Sequence, residues 1–341
     1  MDDNLKKINL RYGNSFFRRL LKRPELGSIL GFIVLWIFFS ITAGSNGFNS
    51  IIIFKSILDL AVAIGIIGVV ATLLLIAGDI DLSVGSMIGA SGMLLALCIV
   101  PWHMPLWLSI IVTFGFAALF GFIQGYIVVK TKIPSMIVTL GGMFFLRGIT
   151  FGVASSIVER AIVGGVNKGL QDDWLYKIFA GKVFGIFSSS IIWWIAVTAL
   201  AYFVLRRTRF GNWILATGGS ENAAKALGVP TDRVKIILFI ATAVSVALIS
   251  TCQVLSLGSA DTLRGSSKEM EVIITAVIGG TLLTGGYGSP IGTFLGSLMM
   301  GLLRQGIYML DISSEWYQAV LGIALIIAVL VNRTGQRLEE I

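Results

Sequence analysis

The chain has 341 residues, of which 56% are hydrophobic and only 13% charged, with a mean hydropathy of +0.90. Ordinary soluble domains carry about 25% charged residues, so the composition excludes a soluble globular class and implies one all-α, polytopic membrane domain. The net charge of +8 lies in short loops and tails between apolar runs, a placement that excludes a nucleic-acid binder.

Residues 1–27 form a polar, basic amino-terminal tail, and the apolar runs begin near Ser28. Many further runs follow the first, which is not the pattern of a cleaved leader on a soluble protein. A helix needs about 20 apolar residues to cross a hydrocarbon core of about 30 Å. On that criterion about ten spans are expected, at 28–48, 51–77, 84–100, 106–129, 135–155, 189–205, 236–257, 271–283, 291–310 and 316–331. They make up a permeating domain over 28–332, followed by a short tail at 333–341. The 40 glycines suit close helix packing in lipid, and Cys98 and Cys252 both fall inside apolar runs, so no disulfide framework is expected.

An even number of spans puts both termini on one side. With that alternation, 17 lysines and arginines fall on the side of the termini and six on the other. Basic loops mark the cytoplasm, so both termini are expected there. The same count places the loop over 206–235 in the cytoplasm and the loop over 156–188 outside.

Within the spans, Lys55 and Asp59 stand four apart, the spacing of an intrahelical ion pair. Asp79, Asp81 and Ser83 follow span two, and a carboxylate at a helix centre costs about 2.5–3.5 kcal/mol. Three roles stay open for these carboxylates: capping of span three by Asp81, a gate or pathway, and ion coupling. Arg147, deep in span five, is expected to pair with another span. Ser250, Thr251 and Gln253 in span seven offer hydrogen bonds either to a hydroxylated substrate or to neighbouring helices. His103 reads as an interfacial residue, and a single histidine does not build a metal site. In the outer loop, Asp172 and Asp173 are candidates for docking another protein, beside the plainer reading of a solvated loop with an interfacial helix over 174–179.

The stretch "GGSENAAKALGVPTDRVK" (218–235) reads as a two-turn soluble helix. Ser220 is a suitable N-cap and Glu221 complements the positive helix end. Gly228 suits the left-handed position beyond the helix, and Pro230 prevents continuation. Ala223, Ala226 and Leu227 then share one apolar face. A helix this short is marginal in water by itself, so it is shaped to be held by something else. "GSMIG" (85–89) and "GSPIG" (288–292) match at four of five positions and each opens a span from the cytoplasmic side; an inverted repeat is one architecture open to the chain, in which two halves of five spans enter from opposite faces.

Here the sequence resembles a known family. "NAAKALG" (222–228) is similar to the cytoplasmic loop motif of bacterial ATP-binding cassette importer permeases, with Ala223, Ala224 and Gly228 matching and Asn222 in place of the usual acid. The wider segments "RRTRFGNWILATGGSENAAKALGVPTDRVKI", "AGDIDLSVGSMIG", "IPSMIVTLGGMFFLRGIT" and "VIGGTLLTGGYGSPIGTFLGSLMMGLLRQGI" resemble the monosaccharide importer permeases of ribose and arabinose type. The resemblance implies a permease subunit in the cell inner membrane. It pairs with a second permease copy, identical or not, a cytoplasmic ATPase and an extracytoplasmic sugar-binding protein. Ser220, Glu221, Asn222, Ala223, Ala224, Ala226, Leu227, Gly228 and Pro230 are then the coupling residues that meet the ATPase. The chain has no G-x-x-x-x-G-K-[ST] run to cradle phosphates, so no cofactor is expected in it, and ATP and magnesium belong to the partner. The alternatives are a gradient-driven transporter using Asp79 or Asp81, and an ATP-driven importer of branched-chain amino acids or nucleosides.

Overall fold

The computed structural model describes residues 24–313 and 315–337. The tail charges Lys6, Lys7, Arg11, Arg18, Arg19, Lys22 and Arg23 lie outside the described residues. The first half comprises α1 (Pro24–Thr42), α2 (Ile51–Ile76), α3 (Val84–Ile99), α4 (Leu106–Thr131) and α5 (Ser135–Val158). Then come β1 (Ile162–Gly164), α6 (Trp174–Ala180), β2 (Lys182–Val183) and β3 (Phe187–Ser188). The second half comprises α7 (Ser190–Arg207), α8 (Arg209–Gly219), α9 (Glu221–Ala226), α10 (Thr231–Leu257), β4 (Ser259–Asp261), α11 (Lys268–Ile278), α12 (Pro290–Met309) and α13 (Glu315–Arg337).

Helix α2 is the axis of the bundle. Every residue from Ile64 to Ala77 is buried, because α7, α10, α11 and α12 all pack on it. An all-apolar helix has no preferred face, and such a helix belongs in the centre. The peripheral helices are amphipathic in the opposite sense to soluble ones. In α4 the buried stripe is Leu106, Ser109, Thr113, Ala117, Phe120, Gly121, Gln124, Gly125 and Val128, mostly small or polar, whereas Trp107, Ile111, Leu119, Phe122 and Ile123 are exposed. In α5, Phe144, Phe145, Ile149 and Phe151 face outward in the same way. Small residues let helices approach and large apolar ones meet lipid. Buried threonines return their hydroxyls to their own helix, as Thr113 does to the carbonyl of Ser109 at 2.8 Å and Thr198 to that of Trp194 at 2.7 Å.

Five helices, α2, α4, α5, α7 and α10, are long and apolar enough to cross a membrane, and shorter apolar helices cover Gly27–Thr42, Val84–Ile99 and Trp316–Leu330. The chain is a multi-pass membrane protein. One end of the bundle carries a two-stranded antiparallel sheet in which Val163 faces Ala260. The other end carries α9. Helix α10, 27 residues long, runs from the α9 end to the sheet end over about 40 Å.

One expected span and one expected turn take a different form. The run at 271–283 is an 11-residue helix, α11, only about 16 Å long. It stops at Gly279 and Gly280, and the chain continues irregularly to Ser289, with Gly280, Gly285 and Gly286 at positive φ. The link between α2 and α3 is not a solvated turn either: residues 81–83 are buried in it together with Asp79. Irregular backbone is tolerated at such depth only where protein satisfies it. The amides of Ile80 and Leu82 accordingly donate to Ser135 Oγ at 3.1 Å and Thr139 Oγ1 at 3.1 Å, both on α5.

Close backbone contact holds α11 to α12. A Cβ placed on Gly292 would overlap the carbonyl of Gly279, whereas Gly115 on α4 has open space around it. We expect Gly292→Val to lower the thermal midpoint of the detergent-purified protein, since overpacking costs about 1–3 kcal/mol. Gly115→Val should leave it within a degree or two. Equal shifts in both variants would contradict this packing.

Candidate functional site

The candidate coupling residues form one compact feature. Ser220 is the N-cap of α9, its Oγ accepting from the amide of Ala223 at 3.4 Å. Leu227 closes the helix and Gly228 follows at φ +82°, a conformation that glycine adopts without steric cost. Ala224 is buried against the body of the protein, while Asn222, Ala223, Ala226 and Leu227 face away from it. Leu227 is 85% exposed. Pro230 precedes α10 and supplies its N-cap position.

A helix of six residues does not persist alone in water, and charge ties this one down. Glu221 accepts from Lys225 at 2.8 Å and from Lys235 at 2.7 Å, and Lys225 also lies 2.9 Å from Asp232. Burial pushes the Glu221 carboxyl up, but the bonds and charges of Lys225 and Lys235 outweigh it and hold it below its ordinary value. Lys225 is raised by its bonds to Glu221 and Asp232. Two ion pairs, Glu221–Lys235 and Lys225–Asp232, thus hold α9 to the start of α10.

The residue before Ser220 belongs to α8, a helix the sequence reading passed over as loop. Thr208 caps it, accepting from the amide of Gly211 at 3.2 Å, and Phe210, Trp213, Ile214 and Thr217 give the i, i+3, i+4, i+7 spacing that would have revealed it. Its end is pressed against the body. A Cβ on Gly218 would collide with the carbonyl of Ile76, which itself accepts from the amide of Gly286 at 2.8 Å. The ends of α2 and α8 and the 279–289 segment therefore meet backbone to backbone.

Asp79, Asp81 and Ser83 lie beside this junction. Asp79 is 3.1 Å from the ammonium of Lys235. Asp81 Oδ1 accepts from the amide of Ser83 at 2.8 Å and from its hydroxyl at 2.6 Å. Asp81 therefore stabilises the approach to α3 without bonding the free amides of the helix itself. Ser83 Oγ also lies 3.1 Å from Gln124 Oε1. A hydroxyl has one proton, so with Ser83 donating to Asp81 the Gln124 amide fits better turned over, its nitrogen donating to Ser83.

Gln253 does not join this group. It sits half-buried near the far end of α10, roughly 27 Å along the axis from Lys235, and its neighbour Ser250 donates to the carbonyl of Ile88 at 2.7 Å, a helix-to-helix bond. Lys55 and Asp59 pair at 2.7 Å as their spacing predicts. Arg147, expected to pair within the chain, makes no ion pair among the described residues and stays half-buried on α5. In the loop before α7, Asp172 is exposed, whereas Asp173 caps α6 by accepting from the amide of Leu175 at 2.8 Å.

A cavity of about 700 Å³ between α11, α12 and α13 went unread in the sequence. Lys268 and Arg304 approach Glu271 there at 2.6 and 3.6 Å, and the Arg304 guanidinium lies over the Tyr317 ring at 5.4 Å. These residues converge from two helices and a separate third one, a grouping that local patterns do not announce.

Comparison with known proteins follows the same lines. The family described as branched-chain amino acid transport system / permease component matches residues 53–329. The chain is 32% identical to the probable ABC transporter permease protein YphD of Escherichia coli, over 90% of this chain and 89% of that one. It is 34% identical to the ribose import permease protein RbsC of Haemophilus influenzae, over 78% and 80% of the two chains. It is 28% identical to the xylose transport system permease protein XylH of the same organism, over 91% and 96%. No solved structure matches. From α2 to α13, with its buried breaks and its capped outward helix, this chain belongs to the family of transport-system permease components.

Proposed function

We propose that the chain is the permease subunit of an ATP-driven importer whose cargo is a monosaccharide. The observation that carries the reading is α9: a short, doubly capped helix with Leu227 turned to solvent, anchored by charge to a membrane bundle. The relatives named for ribose and xylose import support a sugar over the amino acids in the family's description. ATP hydrolysis belongs to a separate subunit, which α9 meets. The chain sits in the cell inner membrane as about ten spans, with α9 and both termini in the cytoplasm and the β1–β4 sheet outside. The partners are that ATPase, a second permease copy and an extracytoplasmic sugar-binding protein, with ATP and magnesium held by the ATPase. "GSMIG" and "GSPIG" start α3 and α12 at the same end of the bundle, the α9 end, whereas matching helices of an inverted repeat start at opposite ends, so these two motifs lend that repeat no support. A gradient-driven rival would need a carboxylate free to carry an ion; Asp79 is engaged by Lys235, and Asp81, bonded only to Ser83, is the one left to that reading.

The α9 reading makes a direct prediction. Leu227→Asp places an unpartnered charge in the partner's groove, at an expected cost on the order of 3–5 kcal/mol, and Gly228→Val distorts the helix end. Both variants should insert normally yet fail to retain the ATPase in pull-down or to drive ATP-dependent uptake. Full retention with normal uptake would mean that α9 is a capped surface turn.

At the sheet end, Asp172 offers an exposed charge to the binding protein, whereas reversing Asp173 would also remove the α6 cap, worth about 1 kcal/mol. We expect Asp172→Lys to slow ATP hydrolysis stimulated by the binding protein while basal hydrolysis stays near normal, since rim charges act on association. Equal loss of both rates would point to damaged folding and not to docking.

A further inference from the structure

Lys235 joins two parts of the chain that are far apart in sequence. Its ammonium lies 2.7 Å from Glu221 on α9 and 3.1 Å from Asp79 in the break between α2 and α3. We propose that Lys235 is a positioning residue that passes displacement of α9 to this break, and through it to the packing of α3 and α5. The inference rests on the reading of α9 as the helix that meets the ATPase.

The two contacts of Lys235 are unequal. Its side chain is 12% exposed and that of Asp79 is 7% exposed, against 37% for Glu221. Interactions between charges strengthen as water is excluded, and a buried carboxylate left alone is costly. Asp79 has no other cation within ion-pair reach among the described residues, so losing Lys235 would strand it. Glu221 keeps Lys225 at 2.8 Å and can release Lys235 without becoming unpaired. The ammonium thus donates its hydrogen bond to Glu221, which has a second cation, and holds Asp79, which has no other among the described residues, by charge.

Backbone contacts define which motion reaches it. Gly218 is fixed between Ile76 and Gly286, and the Gly219 backbone also lies against Gly286, with only its Cβ direction open. Helix α9 cannot slide along the body without breaking this contact, and a displacement of α9 changes the distance from Glu221 to Lys235. On the inner side, Asp79 is followed by Ile80 and Leu82, whose amides bond Ser135 and Thr139 of α5, and by Asp81 and Ser83 at the start of α3. A shift of Asp79 therefore strains bonds to both helices. The chain of contact is continuous: α9, Glu221, Lys235, Asp79, then α5 and α3.

The test uses the complete complex with its ATPase and binding protein in proteoliposomes, with labelled ribose, xylose and fructose as probes. Lys235→Met keeps the length of the side chain and removes its charge. The complex should assemble and hydrolyse ATP within about twofold of the unaltered complex, while sugar taken up per ATP falls at least tenfold. Lys235→Arg should recover most of that ratio, which a role in packing alone does not predict. Asp79→Asn should show the same loss, and the double variant should be no worse than either single one. Should the stranded Asp79 block assembly of Lys235→Met, the double variant removes that charge and must still show the tenfold loss. Unchanged uptake per ATP in Lys235→Met or in the double variant, or losses that multiply in the double variant, would overturn the relay. If Leu227→Asp releases the ATPase while Lys235→Met stays fully coupled, only the relay fails; if Leu227→Asp has no effect, the reading of α9 fails.

Discussion

The carbonyl of Ile76 accepts the amide of Gly286 at 2.8 Å while Gly218 lies flat against both. This three-way backbone contact fixes the end of the bundle from which α9 projects. In hydrocarbon an unsatisfied peptide group costs several kcal/mol, so a membrane chain breaks its helices only where its own groups complete the bonding. Both breaks here obey that limit, one answered by the hydroxyls of Ser135 and Thr139 and the other by the end of α2. Gly78, Gly285 and Gly286 take positive φ at this point, and the absence of side chains lets three segments meet without a gap.

From that constraint the division of labour follows. The inner parts of α2 and α10 are buried on all sides and serve as a frame, with Thr72 and Thr293 bonded at 2.6 Å between α2 and α12 and Trp194 stacked on Phe294 with centroids 4.0 Å apart. The outer helices meet lipid through isoleucine and phenylalanine. Apart from Lys55–Asp59, the ion pairs among the described residues gather at the α9 end and around Glu271. A frame this rigid converts a small displacement at its end into a change of packing inside it, because packed cores switch between arrangements more readily than they stretch.

Much of this was legible in the sequence, and the reasons differ by element. The cap of α9 follows from Ser220, Gly228 and Pro230, because local turn chemistry depends on near neighbours. The long helices follow from apolar runs of sufficient length. Helix α8 was missed because its spacing sits in a short polar stretch that reads as loop when the membrane spans are sought first. Helix α11 was overextended to 283 because glycines and threonine keep the run apolar after the helix has ended at Gly279. Lys235 was counted only as one of several basic loop residues; its partner Asp79 lies far along the chain, and no local pattern connects them. Capping was one of three roles open for Asp81; in the structure it bonds Ser83, the residue just ahead of α3, a difference of two residues that spacing alone does not resolve.

The source of energy is the central claim: the anchored α9 argues for work delivered from a separate ATPase, and Asp79, paired with Lys235, is not free to carry an ion. Uptake by the permease reconstituted with its ATPase and binding protein measures this directly, with ATP inside the vesicles and an ionophore added to collapse the proton gradient. The account predicts uptake that requires both ATP and the ATPase and that persists after the gradient is gone. Uptake by this chain alone, abolished by the ionophore and indifferent to ATP, would contradict it.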